Sequence, residues 1–568
     1  MKSILSRLPT HLQPHLNALK ALMVFGAVSN ILMLMPTIYM LQVFDRVMVS
    51  RSELTLVAVS LITLYLFAIL GLTEWSRSRL LARLGAKLDA ELSSQTFYGV
   101  FASELSSHQE DAQHSTHKVS PAKRAFADLA ELRQFVSGSG LITLIDLPWT
   151  MVYVAVLFLM HPFLGILALA FSLLQALFTR YGHLQVVQPT HQSNQLAALE
   201  THDLQSKMKD ADTAAALGMT GRLKNSWLSK NAASQFSHSR AQQLQHTVSS
   251  ASKFIRYMQQ SFTLAVGALL VMSGEISPGA MIAANVLCSR ALAPIDTMAS
   301  SWRSLLSARE AYKRLTHLLM QTQPHSPPKL AKAMQGDVRI QHVSLRLPNR
   351  KQAVLQDIQY HAAAGSVTLV TGPSGSGKSC LARVLLGIWP ASAGQVMLDD
   401  VPINDWPKEQ AGPMVGYLPQ SIDLFDATIA SNIARLGPID ASAVVVAAKM
   451  TGLHELILRL PNGYETTVGE AGYLLSGGMR QRIGLARAVY GSPKLVVLDE
   501  PNANLDDAGE KALAQTLITL KSQGSTVFVI SHRNHLMEAA DRMLVLANGQ
   551  VQASGPYDGV VAAMMQHT

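Results

Sequence analysis

Four apolar stretches within the first 180 residues limit what this chain can fold into more than any other feature. Ala21 to Leu41 is apolar but for Ser29, Asn30, Thr37 and Tyr39, and Leu54 to Leu72, Leu141 to Met160 and Phe163 to Phe178 follow. They approach or reach the roughly 20 residues that cross a bilayer as a helix. In hydrocarbon a segment must satisfy its own backbone hydrogen bonds, so helix is the expected form. A fifth run, about Phe262 to Met272, needs Ile255 to Gln260 to reach full length. A sixth, Met281 to Ile295, is interrupted by Ser289, Arg290 and Pro294. The expectation is therefore six spanning helices. Composition agrees, because charged residues make up 15% of the chain against about 25% in soluble domains.

Charge is unevenly placed. Residues 1–335 hold 29 Lys/Arg against 18 Asp/Glu, a balance of +11, and residues 336–568 hold 18 against 20, a balance of −2. Positive charge on the half with the apolar runs points to a lipid bilayer and not to nucleic acid. Arg77, Arg79, Arg83, Lys87, Lys118, Lys123, Arg124 and Arg133 lie between runs two and three. Between runs four and five a similar set extends from Arg180 to Arg256. The opposite side offers His161-Pro162 and Ser273 to Pro278 without Lys or Arg, and only Arg46 and Arg51 at its first turn. This positive-inside pattern predicts a multi-pass protein with both termini in the cytoplasm.

The two inner connections, about 70 to 80 residues each, are too long for simple turns. Leu80, Leu84, Leu88 and Leu92, and again Leu196, Leu199 and Leu204, show heptad-like spacing. They predict helices that continue into the cytoplasm and turn back near Ser106 to Ser120 and near Asp210-Ala211-Asp212. Asp146 is the clearest ionisable residue inside an apolar run; it is expected to cap the helix broken by Pro148. Cys288 and Cys380 read as small packing residues. The segment Met1 to Lys20 lacks the apolar core and cleavage site of a signal peptide.

Gln321 to Met334 is proline-rich and polar, a linker. From Gly336 onward short β-branched strands alternate with helices, which predicts an α/β layer structure. Gly372-Pro373-Ser374-Gly375-Ser376-Gly377-Lys378-Ser379 follows the strand Ser366 to Val370 and precedes the helix Cys380 to Leu386. Strand, glycine loop and helix form the context of a phosphate loop. Its N–H groups converge on an anion, Lys378 reaches the β- and γ-phosphates, and the Ser379 hydroxyl meets Mg²⁺. Leu495 to Glu500 is a buried strand ending in two carboxylates. Asp499 suits the metal, and Glu500 suits the proton of an attacking water. Thr526 to His532 is a further strand, ending in a histidine that suits the γ-phosphate. Ser476 is a natural N-cap ahead of the amphipathic helix Ile483 to Val489, with Gly477 and Gly478 permitting close approach. That makes a second anion-binding helix start, and so a site shared between two copies.

These motifs together resemble an ABC-transporter nucleotide-binding domain from end to end of the soluble half. Lys378 and Ser379 match Walker A, Gln420 the Q-loop, and Ser476 to Gln481 the signature. Asp499 and Glu500 match Walker B, Asp506 the D-loop, and His532 the switch histidine. The resemblance implies ATP and Mg²⁺ as ligands, with Gln420 as a metal sensor. It also implies a head-to-tail homodimer in which one copy's signature closes over the other's nucleotide. Two departures stand out: Met479 replaces the usual signature glutamine, and Val343 to Pro348 has no adenine-stacking aromatic.

In the membrane half, Tyr39 to Val47, Asp146-Leu147-Pro148-Trp149, and Gly274 to Ala284 with Arg290 to Pro294 are similar to the protease-exporter branch of type I secretion. That branch implies an exported, unfolded polypeptide with a C-terminal signal, a membrane-fusion adaptor and an outer-membrane channel, at the bacterial inner membrane. The position of the first apolar run leaves no room for an N-terminal peptidase domain, so no leader cleavage is expected. The expected architecture is an all-α six-helix transmembrane domain plus an α/β P-loop ATPase domain. The expected boundaries are 1–20 (N-terminal segment), 21–320 (membrane), 321–335 (linker) and 336–568 (nucleotide-binding). The rivals are export of a lipid, peptide or small molecule, a soluble ATPase, and a catalytically dead subunit.

Overall fold

Where the sequence is most apolar the backbone is helical. The computed structural model describes residues 16–110, 121–208, 210–321, 334–347, 352–469, 472, 475–531 and 539–565. They fall into a helical unit of residues 16–104 and 121–321, and a second unit that takes in residues 105–110 at the end of one long helix and the α/β residues from Met334 on.

The helical unit comprises α1 (Leu16–Leu32), α2 (Met35–Gln42), α3 (Glu53–Glu110), α4 (Pro121–Ser137), α5 (Ser139–Asp146), α6 (Trp149–Met160), α7 (Pro162–Met208), α8 (Thr220–Met272) and α9 (Pro278–Gln321). Among the described residues five segments are long and apolar enough to cross a membrane: Asn17–Ser50, Glu53–Leu105, Ser139–Met160, Pro162–Met208 and Pro278–Met298. The expected run Phe262 to Met272 closes α8 but is not among the five, since Arg256, Gln259, Gln260 and Ser261 precede it. The inner connections are helical extensions, as their leucine spacing predicts. α3 alone has 58 residues, about 85 Å of helix against a hydrocarbon core of about 30 Å. α7 and α8 turn back through the short helix Ala211–Ala216. The other predicted turn, toward Ser120, and the linker lie almost wholly outside the described residues.

Packing follows the pattern. Of the predicted leucines Leu84, Leu88 and Leu92 are buried and Leu80 is half-buried beside the buried Leu81, and Ala125 and Leu129 of α4 and Leu315 and Leu318 of α9 are buried too. Asp128 on α4 takes a two-pronged ion pair from Arg314 on α9, at 2.8 and 2.6 Å. In the apolar region Ala284, Ala291 and Leu287 of α9 pack with Tyr153 and Leu157 of α6 and Leu164 of α7, small residues letting backbones close.

Asp146 departs from expectation. Pro148 does break the helix, but the start of α6 has no side-chain cap. Instead Asp146 Oδ1 accepts from Arg77 Nη2 and from Asn30 Nδ2, each at 2.8 Å. Tyr153 donates its hydroxyl proton to Asn30 Oδ1 at 2.9 Å. A fully buried arginine outweighs a local cap, because its charge needs a carboxylate there. At the other end of the bundle the Asp45 carboxylate accepts from Ser277 Oγ and from the Gly279 N–H. A Cβ on Gly279 would lie 2.5 Å from Asp45 Oδ1, so glycine is required for this capping.

The α/β unit holds two sheets. An antiparallel sheet runs β2 (Leu355–Ala362), β1 (Val338–Leu345), β4 (Ala393–Leu398), β5 (Val401–Pro402). The second runs β10 (Gln550–Pro556), β9 (Arg542–Ala547), β3 (Val367–Thr371), β8 (Thr526–Ile530), β7 (Leu495–Asp499), β6 (Val415–Leu418). All pairs from β9 to β6 are parallel. Parallel strands are covered on both faces, and every residue of β7 and β8 is buried.

Because removing one partner of a buried ion pair strands the other charge, Arg77→Met or Asp146→Leu should each destabilise by about 3–5 kcal/mol. The double variant should recover most of that loss in detergent thermal melts. A double variant as unstable as the sum of the singles would show that the pair is not the unit.

Candidate functional site

The parallel strands all end on one edge, so the loops that follow them converge. After β3 comes the glycine loop. Gly372, Gly375 and Gly377 have φ of +143°, +80° and +98°, backbone that side chains rarely adopt. A Cβ on Gly372 would meet the Leu546 carbonyl at 1.9 Å. Helix α10 (Lys378–Leu385) starts directly behind Gly377. Pro373 and Ser374 are exposed on the loop, while Ser376 is buried and its Oγ has no partner among the described residues. Lys378 Nζ donates to the carbonyls of Gly372 and Pro373 at 2.8 and 2.9 Å. Burial pushes its pKa down, against the pull of Glu500 and Asp499.

After β7 come the two carboxylates, and they differ. Asp499 is 2% exposed. It accepts a hydrogen bond from the Ser379 hydroxyl, while its Oδ1 is buried without a partner among the described residues. Burial pushes its pKa up. Glu500, one position past the strand, sits at φ +51°, in the left-handed region. Its Oε2 accepts from Gln420 Nε2 at 3.0 Å, and Gln420 stands just past β6. The fold thus brings the glycine loop, Lys378, Ser379, Gln420, Asp499 and Glu500 together. The orphaned oxygens of Asp499 and Ser376, with the Ser379 hydroxyl, form a hard oxygen set that fits Mg²⁺. His532 lies outside the described residues, one position past Ser531 at the end of β8.

The second anion site expected from the sequence falls at a separate helix start. Helix α13 runs Gly477–Val489, six residues earlier than the amphipathic pattern alone suggests. Ser476 caps it by accepting from the Met479 N–H at 3.3 Å. Gly478 lies so close to the next loop that a Cβ would be 2.8 Å from the Asn504 carbonyl. Asp506 caps α14 (Asp507–Ser522) through the Gly509 N–H and pairs with Arg482. The Gly509 N–H and Arg482 hold its carboxyl below the usual range. Arg482, which the motif reading passes over, also donates to the Gly452 carbonyl at 2.9 Å. Beside the glycine loop a cavity of about 430 Å³ is lined by Gln352, Ala353, Val354, Gln356, Gly375, Asn548 and Gly549, amide and aliphatic surface.

Set beside known proteins, residues 355–503 match the ABC transporter family and residues 19–293 match the ABC transporter transmembrane region. The chain is 37% identical over 544 residues to the type I secretion system ATP-binding protein PrsD of Rhizobium meliloti (strain 1021), covering 96% of this chain and 92% of that one. It is 29% identical to the toxin RTX-I translocation ATP-binding protein of Actinobacillus pleuropneumoniae, over 92% of this chain and 73% of that one. It is 26% identical to the alpha-hemolysin translocation ATP-binding protein HlyB of Escherichia coli O157:H7, over 94% and 75%. A solved bacterial Atm1-family ABC exporter with ATP bound shares the fold, with a TM-score of 0.80 at 20% identity over 96% of both chains.

Asp499 predicts a pH-dependent effect. Burial raises its folded pKa above the ordinary 3.8, so its ionisation opposes folding as pH rises above the unfolded value and not at all below it. Asp499→Asn should therefore raise the nucleotide-free melting temperature at pH 7 by about 2–4 °C. The gain should vanish toward pH 4, as read by calorimetry; a pH-independent difference would contradict the assignment.

Proposed function

The chain belongs to the ABC transporter family, with a transmembrane region and an ATPase domain in one polypeptide, and from that premise we propose that it is the inner-membrane ATPase of a type I secretion system. Its activity is ATP hydrolysis coupled to transport. The cargo is an unfolded polypeptide with a C-terminal signal, passed outward to a membrane-fusion adaptor and an outer-membrane channel. The observation that carries this reading is the likeness to a type I secretion ATP-binding protein along 96% of the chain. The Lys/Arg bias of the inner connections supports a cytoplasmic ATPase domain. We assign the membrane domain to 21–320 and the nucleotide-binding domain to 336–568, joined by 321–335.

Each residue has a chemical task. The N–H groups from Gly372 to Gly377 cradle the phosphates. Lys378 exchanges two loop carbonyls for phosphate oxygens, a change that its desolvation favours. Ser379, Asp499 and Gln420 would hold Mg²⁺, which when bound would supply positive charge against the charge that develops on the phosphate. Glu500 takes the proton of the attacking water, and Gln420 orients its carboxylate. His532 contacts the γ-phosphate. Ser476, Gly477 and Gly478 of a second copy close over that phosphate, with Asp506 at the seam of the homodimer. Met479 leaves its backbone N–H in the cap, so its side chain is dispensable to that contact. The cavity beside Gly375 receives the nucleoside by amide and aliphatic contact, without ring stacking.

Glu500→Gln should retain ATP binding while turnover falls about 10²- to 10⁴-fold, measured on the full chain in reconstituted membranes. In the same membranes, C-terminal fragments of exported proteins encoded beside this chain should change the ATPase rate. Stimulation by lipid or a small molecule with no response to the fragments would sink the secretion reading and leave the transporter.

A further inference from the structure

Arg435 lies between the short helix α11 (Ile429–Ile433) and α12 (Ala441–Met450) and belongs to none of the motifs named above. Arg435 and Leu436 have φ of +58° and +59°, two consecutive bulky residues in the left-handed region, an arrangement that survives only where surroundings enforce it. The turn sends the guanidinium back into the unit, where all its donors are used. Nε donates to the Arg487 carbonyl at 3.0 Å. Nη1 donates to Gly412 and Val415 at 2.7 and 3.0 Å, and Nη2 to Ala488 and Tyr490 at 3.1 and 3.3 Å.

These five acceptors belong to two segments. Arg487, Ala488 and Tyr490 form the C-terminal end of α13, where carbonyls lack intrahelical partners and the helix dipole is negative. Gly412 and Val415 form the root of β6, the edge strand of its sheet, which leads through Pro419 to Gln420. The two segments already touch backbone to backbone, since a Cβ on Gly416 would lie 2.2 Å from the Ala488 carbonyl. Among the described residues Arg435 makes no ion pair. Burial and the nearby Arg487 push its pKa down, although a guanidinium stays charged. A half-buried cation with no carboxylate serves poorly as filler. It suits a five-pronged fork that joins two chain segments.

We propose that Arg435 is a positioning residue for ATP hydrolysis, which locks the far end of the Ser476-capped helix to the strand that carries Gln420. The helix that caps over nucleotide at its start and the loop that holds Glu500 then move as one body. This rests on the site assignment above. Lysine cannot substitute, having three donors and no planar fork.

The test uses the full chain in reconstituted membranes. Arg435→Lys and Arg435→Met should each lower kcat about tenfold while KM for ATP stays within about twofold. Combined with Gln420→Ala, Arg435→Met should lose no more than the larger single loss, because both act through one element. Multiplied losses, or a lysine variant at the wild-type rate, would overturn the proposal. Should the variants fail to fold, hydrogen exchange on the unmodified chain decides. Residues 412–418 and 487–490 should slow together when ATP binds, and independent behaviour would overturn the proposal. Glu500→Gln turning over normally would instead remove the site assignment, and this inference with it.

Discussion

A carboxylate at the buried end of a strand is tolerable only where a cation meets it, and Asp499 imposes that condition on the whole α/β unit. β7 is buried along its length because it lies between β8 and β6 in a parallel sheet covered on both faces. The same parallel arrangement puts the ends of β3, β6, β7 and β8 on one edge. The glycine loop, Gln420, the carboxylate pair and Ser531 therefore meet without any need for proximity in sequence. The Ser379 hydroxyl at the start of α10 lies within hydrogen-bonding reach of Asp499, and Asp499 Oδ1 has no partner among the described residues. A structure that leaves a buried oxygen orphaned where phosphate-binding groups converge is arranged for a charged ligand.

The helical unit meets the same difficulty in another solvent. Ionisable groups among apolar helices are expensive, and here they are satisfied by reaching across helices. Arg77 from α3, Asp146 from α5 and Asn30 from α1 share one carboxylate oxygen, and Tyr153 from α6 completes the group. Asp45 likewise ends on the first turn of α9. Each polar group ties together helices that apolar packing alone would leave free to slide, since lipid tails are as apolar as leucine.

Much of this was legible in the chain. Apolar run length located the helices, leucine spacing predicted that they continue past the apolar runs, and the glycine pattern predicted a tight loop between strand and helix. These signals are local: they depend on residues within a few turns of one another. The misreadings share one cause. Asp146 reads as a cap from its neighbours because Arg77, its partner, is 69 positions away. The Ser476 cap, by contrast, is a local signal, and the helix it was expected to start does begin at Gly477. Arg435 left no sequence signal, because its partners are main-chain carbonyls whose identity no side chain encodes.

What the amino-acid order determined alone was the division of labour: an apolar, helical, basic half, and an α/β half with phosphate chemistry. Periodicity, length and short-range backbone freedom suffice for that, since each acts along the chain. Which carboxylate is desolvated, which arginine finds a counter-charge, and which helix end is tied to which strand were decided only on folding. Burial and long-range pairing set those outcomes, and neither exists until distant segments share the same few ångströms.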